Sequence, residues 1–122
     1  MNLAAWICLV LVFANSLFHA LLIFGAPLGE YVLGGKHRVL PAHLRFVSLF
    51  FLVYFLLMGF AYLTVLKGHV TPFAKALILV NTAFQAWAII GNSLTKSQKE
   101  RRVMRPLSAV ECVASLIVWI NL

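Results

Sequence analysis

From Leu3 to Phe24 and from Phe46 to Leu66 the chain runs for 22 and 21 residues without an acidic or basic side chain, histidine aside. Either stretch crosses a hydrocarbon core of ~30 Å as a helix. Two further apolar runs, Ala76 to Gly91 and Pro106 to Leu122, hold 16 and 17 residues. They reach spanning length when residues 72–75 and 103–105 complete their ends. The expected fold is therefore an all-α, integral membrane four-helix bundle. It forms a single domain over residues 1–122, with spans at about 3–24, 44–66, 72–91 and 105–121.

The composition agrees, at 63% hydrophobic residues against roughly half in an ordinary soluble domain. Spans and connecting loops use nearly the whole length, so no soluble catalytic or nucleic-acid-binding module is expected. The net charge of +7 is to be read through membrane topology. No Lys or Arg precedes the first span, and its apolar run exceeds the roughly 7 to 15 residues of a signal-peptide core, so it is expected to be retained. Cys8 and Cys112 both fall inside spans, near opposite membrane faces, and are expected to pack as free thiols.

Basic residues are unevenly shared between the loops. Lys36, Arg38 and Arg45 lie in or beside the first, and Lys96, Lys99, Arg101, Arg102 and Arg105 in or beside the third, against Lys67 and Lys75 on the other side. The positive-inside rule puts the first and third loops in the cytoplasm and both termini outside. Lys99, Arg101, Arg102 and Arg105 are candidate contacts for anionic lipid head groups or phosphate, at about 1 kcal/mol per charge. The same cluster also serves as an ordinary orientation determinant. Pro106 suits the first turn of span four, where its missing N–H leaves no helical bond unmade, so that helix is expected to start there.

The first loop, residues 25–41, carries Gly25, Gly29, Gly34, Gly35, Pro27 and Pro41, which predict sharp turns. Leu28, Tyr31, Val32, Leu33, Val39 and Leu40 are too apolar for a solvated linker, so the loop is expected to pack on the end of the bundle. Its residues Gly25-Ala-Pro-Leu-Gly-Glu-Tyr31, Gly34-Gly35 and His37-Arg-Val-Leu-Pro41 resemble the first loop of a family of small four-span bacterial membrane proteins without an assigned function. Asn92-Ser93, Lys99-Glu-Arg-Arg102 and Met104-Arg-Pro106 are similar to that family's third loop. The resemblance implies the same four-span fold in a bacterial inner membrane and implies no chemistry. Small multidrug exporters are similar in size, but place an essential carboxylate in the first span, where this chain has His19.

Ionisable and amide side chains in hydrocarbon are costly and mark candidate sites. Asn15 and His19 are four residues apart in span one, and Asn81 and Gln85 four apart in span three; Ser108, Glu111, Cys112 and Ser115 make one stripe of span four. Counted from the expected span ends, His19, Gln85 and Glu111 lie roughly 8 to 9 Å below the cytoplasmic surface. They are expected to meet in one layer, with Glu111 and His19 touching or sharing Gln85 or a water. The candidate ligand-binding residues are thus Glu111, His19, Gln85, Asn15 and Asn81. Asn15, Ser16, Thr82 and the serines also read as interhelical hydrogen bonds that hold the bundle together. One His and one Glu are too few for a closed zinc site, so neither metal nor cofactor is expected, and no catalytic triad is apparent.

The leading functional reading is a polar pocket near the cytoplasmic leaflet that binds or transports a small cation, a proton-coupled solute or a lipid-like ligand. A non-transporting accessory or scaffold subunit is the alternative, and an enzyme acting on lipid the third. The expected partners are the bilayer and its anionic head groups, together with further copies of the chain or a larger membrane complex.

Overall fold

Thr71 and Ser97 cap two of the four helices by accepting the backbone N–H three residues on, from Ala74 and from Glu100. The computed structural model describes residues 2–122, the side chain of residue 33 aside. The expectation that Leu33 packs with its neighbours lies outside that description. The helices are α1 (Asn2–Ile23), α2 (Ala42–Lys67), α3 (Pro72–Leu94) and α4 (Gln98–Ile120), with two short 3-10 turns, Gly29–Tyr31 and Leu33–Gly35, between α1 and α2. All four helices are long and apolar enough to cross a membrane. The chain is a multi-pass membrane protein with a helical bundle fold.

Side chains are distributed as lipid solvation demands. Phe13, Phe46 and Leu94 point outward at 68%, 72% and 78% exposure, whereas Asn81, Glu111 and Ser115 are buried. The helices pack in an antiparallel ring, most closely as the pairs α1–α2 and α3–α4. Ala5, Cys8, Val12, Met58, Ala61 and Ile78 contribute to the core. Cys8 is buried and Cys112 half-buried, and both thiols are free.

Pro106 does not start the last helix; α4 begins eight residues earlier, at Gln98, and runs through it. Ser97 is the reason. Its hydroxyl caps the Glu100 N–H, so the helix is nucleated before the proline, which removes only one backbone bond from it.

The first loop is packed on α4. Ser97 Oγ donates to the Glu30 carbonyl at 2.6 Å, the Gly34 N–H donates to Glu100 Oε2 at 3.2 Å, and Lys99 pairs with the Glu30 carboxylate. Gly29 and Gly35 permit this approach. A Cβ on Gly29 would run into the His37 carbonyl oxygen, and one on Gly35, where φ is +73°, would come within 2.6 Å of Ser97 Cβ. Val39 departs from the expected pattern, since its side chain is exposed while Leu40 beside it is buried.

Candidate functional site

Two polar regions lie inside the bundle, and the sequence had merged them. The first is a hydrogen-bond network across α2, α3 and α4. Tyr54 Oη donates to Asn81 Oδ1 at 2.9 Å, and Asn81 Nδ2 donates to Tyr62 Oη at 2.7 Å and to Glu111 Oε2 at 3.4 Å. Gln85 Nε2 donates to the same Glu111 oxygen. Tyr62 Oη also shares a hydrogen bond with Ser115 Oγ, 2.7 Å away. Ser115 in turn meets Thr82 Oγ1 at 2.7 Å and donates to the Ile78 carbonyl at 3.3 Å. One Glu111 oxygen thus receives two donors, while Oε1 is buried without a hydrogen-bond partner among the described residues.

The second region is a cavity of about 290 Å³ nearer the basic end of the bundle, where the first loop meets α4. His19 lines it from α1 and is only 8% exposed. Its ring stacks on Phe51 at 5.2 Å and on Phe55 at 5.8 Å between centroids, and meets Phe18 edge-on at 5.6 Å. Nδ1 is buried with no partner among the described residues. Asn15, Ser48, Gln85, Asn92 and Ser108 bring further polar groups to the wall, and Tyr31, Val32 and Glu100 border it from the loop and the start of α4.

His19 and Glu111 do not form the expected pair: no hydrogen bond joins His19 to Glu111 or to Gln85 among the described residues, and Glu111 does not line the cavity. The reason is what each side chain packs against. His19 is held among Phe18, Phe51 and Phe55 of α1 and α2, whereas Glu111 bonds to Asn81 and Gln85 across the α3–α4 interface. Gln85 both lines the cavity and bonds Glu111.

Asn15 and Ser16 do not bridge helices either. Asn15 Nδ2 donates to the Leu11 carbonyl and Ser16 Oγ to that of Val12, both one turn back in α1. Thr82, Ser108 and Ser115 do bond across the α3–α4 interface, Ser108 to Asn92 Nδ2 at 3.1 Å. Of the basic candidates, Lys99 is committed to Glu30, and Arg101 is half-buried with Nη1 directed at the Thr95 carbonyl at 3.5 Å. Arg102 and Arg105 are exposed. Among the described residues no group of three or more His, Cys, Asp or Glu is placed to hold a metal ion.

Tyr54, Tyr62 and Glu100 complete these regions; the tyrosines are polar groups of span two in the sequence, but none of the three was marked as a site residue. The tyrosines are eight apart and so share a face of α2, and Ser97-x-x-Glu100 is a capping-box pattern. Here the glutamate side chain turns to the Gly34 N–H, and the Ser97 N–H turns to Thr95 Oγ1.

Four spans, a closed polar network and an aromatic-walled cavity define the protein as a multi-pass membrane bundle with an internal cavity. No family model, no curated protein and no solved structure matches the chain.

Proposed function

We propose that this membrane protein binds a lipid-like ligand in the cavity beside His19. The observation that carries the reading is a buried imidazole with an unpartnered Nδ1, held between aromatic rings at the edge of a cavity of about 290 Å³. A buried polar atom without a partner costs about 1–3 kcal/mol, a penalty relieved when a ligand brings the missing partner. Phe51, Phe55, Phe84 and Trp87 supply apolar wall, and Asn15, Ser48 and Gln85 add polar groups beside His19. That is the lining suited to an amphiphile.

A small cation or a proton-coupled solute is less well served. Glu111, the acid deepest in the bundle, lies behind Gln85 and is already bonded to it and to Asn81. On the positive-inside count the basic end faces the cytoplasm, which puts the cavity in the cytoplasmic half of the membrane with both termini outside. The loop resemblance supports a bacterial inner membrane as its location.

His19→Phe tests the reading, because phenylalanine keeps the ring packing and removes both ring nitrogens. Native mass spectrometry of the protein extracted with its lipids should show bound lipid on the wild type and a loss of about tenfold on the variant. Equal retention by both, or none by the wild type, favours a scaffold role in a larger complex.

A further inference from the structure

We infer that the cavity selects an uncharged amphiphile, whose polar head lies beside His19 and whose hydrocarbon chain leaves sideways between α2 and α3. The inference rests on the lipid-like reading above and names the head group and the path. Charge decides the head group. Among the described residues the cavity is lined by no Lys or Arg, although eight basic residues lie in or beside the two loops at this end of the bundle. Histidine aside, its one acidic or basic lining residue among the described residues is Glu100, an acid. An anionic head would be stripped of water beside a carboxylate with no cation to pair with, an arrangement that costs far more than any hydrogen bond to it returns. A cationic head would have Glu100 alone to pair with, and its Oε2 already accepts the Gly34 N–H. What remains are neutral groups: His19, Asn15, Gln85 and Ser48, with the bonded pair Asn92 and Ser108. These suit hydroxyl, carbonyl or amide functions.

The packing of α2 against α3 decides the path. The turn of residues 68–71 holds these helices together at the far end, and Tyr54 and Phe51 both meet the Phe84 ring, at 4.9 and 6.0 Å between centroids. Beyond that closure, toward the basic end, the cavity is bordered by Val47 and Ser48 of α2 and by Ala88 and Gly91 of α3. Trp87 on this rim is 69% exposed, and a Cβ on Gly91 would meet nothing within 4 Å. The end of the bundle is shut by the first loop, pinned to α4 through Ser97, Lys99 and Glu100. The seam between α2 and α3 opens on the bilayer, where an acyl chain already is.

Three probes with identical diazirine-bearing acyl chains test this: a diacylglycerol, a phosphatidylglycerol and a trimethylammonium diacyl lipid. Each is incorporated into nanodiscs with the full-length protein, irradiated, and its adducts mapped by mass spectrometry. Diacylglycerol should label residues 47–51 and 88–91 about tenfold more than either charged probe. Gly91→Trp, which fills open space within a helix, should lower that labelling by about tenfold while leaving the melting temperature unchanged. Equal or stronger labelling of the cavity by a charged probe overturns the inference and leaves the lipid reading standing, and so does undiminished labelling of Gly91→Trp. Absence of seam labelling by all three probes rejects the lipid reading itself.

Discussion

Gln85 donates from Nε2 to Glu111 Oε2 across the α3–α4 interface while the rest of its side chain lines the cavity that holds His19. One amide therefore joins a sealed polar network to an accessible site, and changes on its two sides have different consequences.

On the sealed side, Glu111→Gln should be nearly neutral for stability. Its amide oxygen can take the place of Oε2 as acceptor for Gln85 and Asn81, and its NH2 occupies the position where Oε1 has no partner. Glu111→Leu removes the acceptor and leaves Gln85 Nε2 buried without its partner, while Asn81 Nδ2 keeps Tyr62 Oη, costing about 1–3 kcal/mol. Thermal unfolding in detergent should rank wild type and Glu111→Gln together, well above Glu111→Leu.

Tyr62→Phe removes the hydroxyl that accepts from Asn81 and meets Ser115, yet Ser115 retains Thr82 and the Ile78 carbonyl. The expected loss is about 1 kcal/mol, the usual size of an interhelical hydrogen bond in a membrane bundle. A double-mutant cycle with Ser115→Ala should show coupling between the two sites, and additive losses would contradict the bond.

The first loop should tolerate loss of charge better than gain of volume. Gly29→Ala drives a Cβ into the His37 carbonyl, where backbone rather than a mobile side chain must yield, and should cost about 2 kcal/mol or more. Lys99→Gln breaks an exposed ion pair and should cost much less. Melting temperatures of the two variants measure the difference directly.

Docking of the loop should loosen in acid. The hydrogen bond and charge of Lys99 hold the Glu30 carboxyl below its ordinary range. A depressed carboxyl contributes its stabilisation above the unfolded value and loses it as pH falls through the folded one. Backbone hydrogen exchange at residues 29–35, corrected for intrinsic pH dependence, should therefore gain rate as pH falls through and below the usual carboxylate range. Glu30→Gln should show the faster exchange at neutral pH and no further acid dependence from this site.

Orientation is checked by accessible tags or single cysteines. Positions 2 and 122 should react from outside, and positions 36 and 99 from the cytoplasm. Labelling of both sets from one side in intact cells would overturn the four-span arrangement.

The four helices were legible in the sequence because spanning length and apolarity are properties of a contiguous segment, and α1, α2 and α3 match the expected spans to within a few residues. The packed loop was legible for a similar reason, its glycines and apolar residues being local to residues 25–41. The polar faces of α3 and α4 were legible from residue spacing, but a direct bond between Glu111 and His19 is not formed. His19 is taken up by the aromatic rings of α1 and α2, and Glu111 by the amides of α3. Only the tertiary structure decided that division, and with it the separation of a sealed network from an open cavity. The side chains that build each region come from different helices, so their relative height and rotation arise from packing between segments rather than from the order of residues within one.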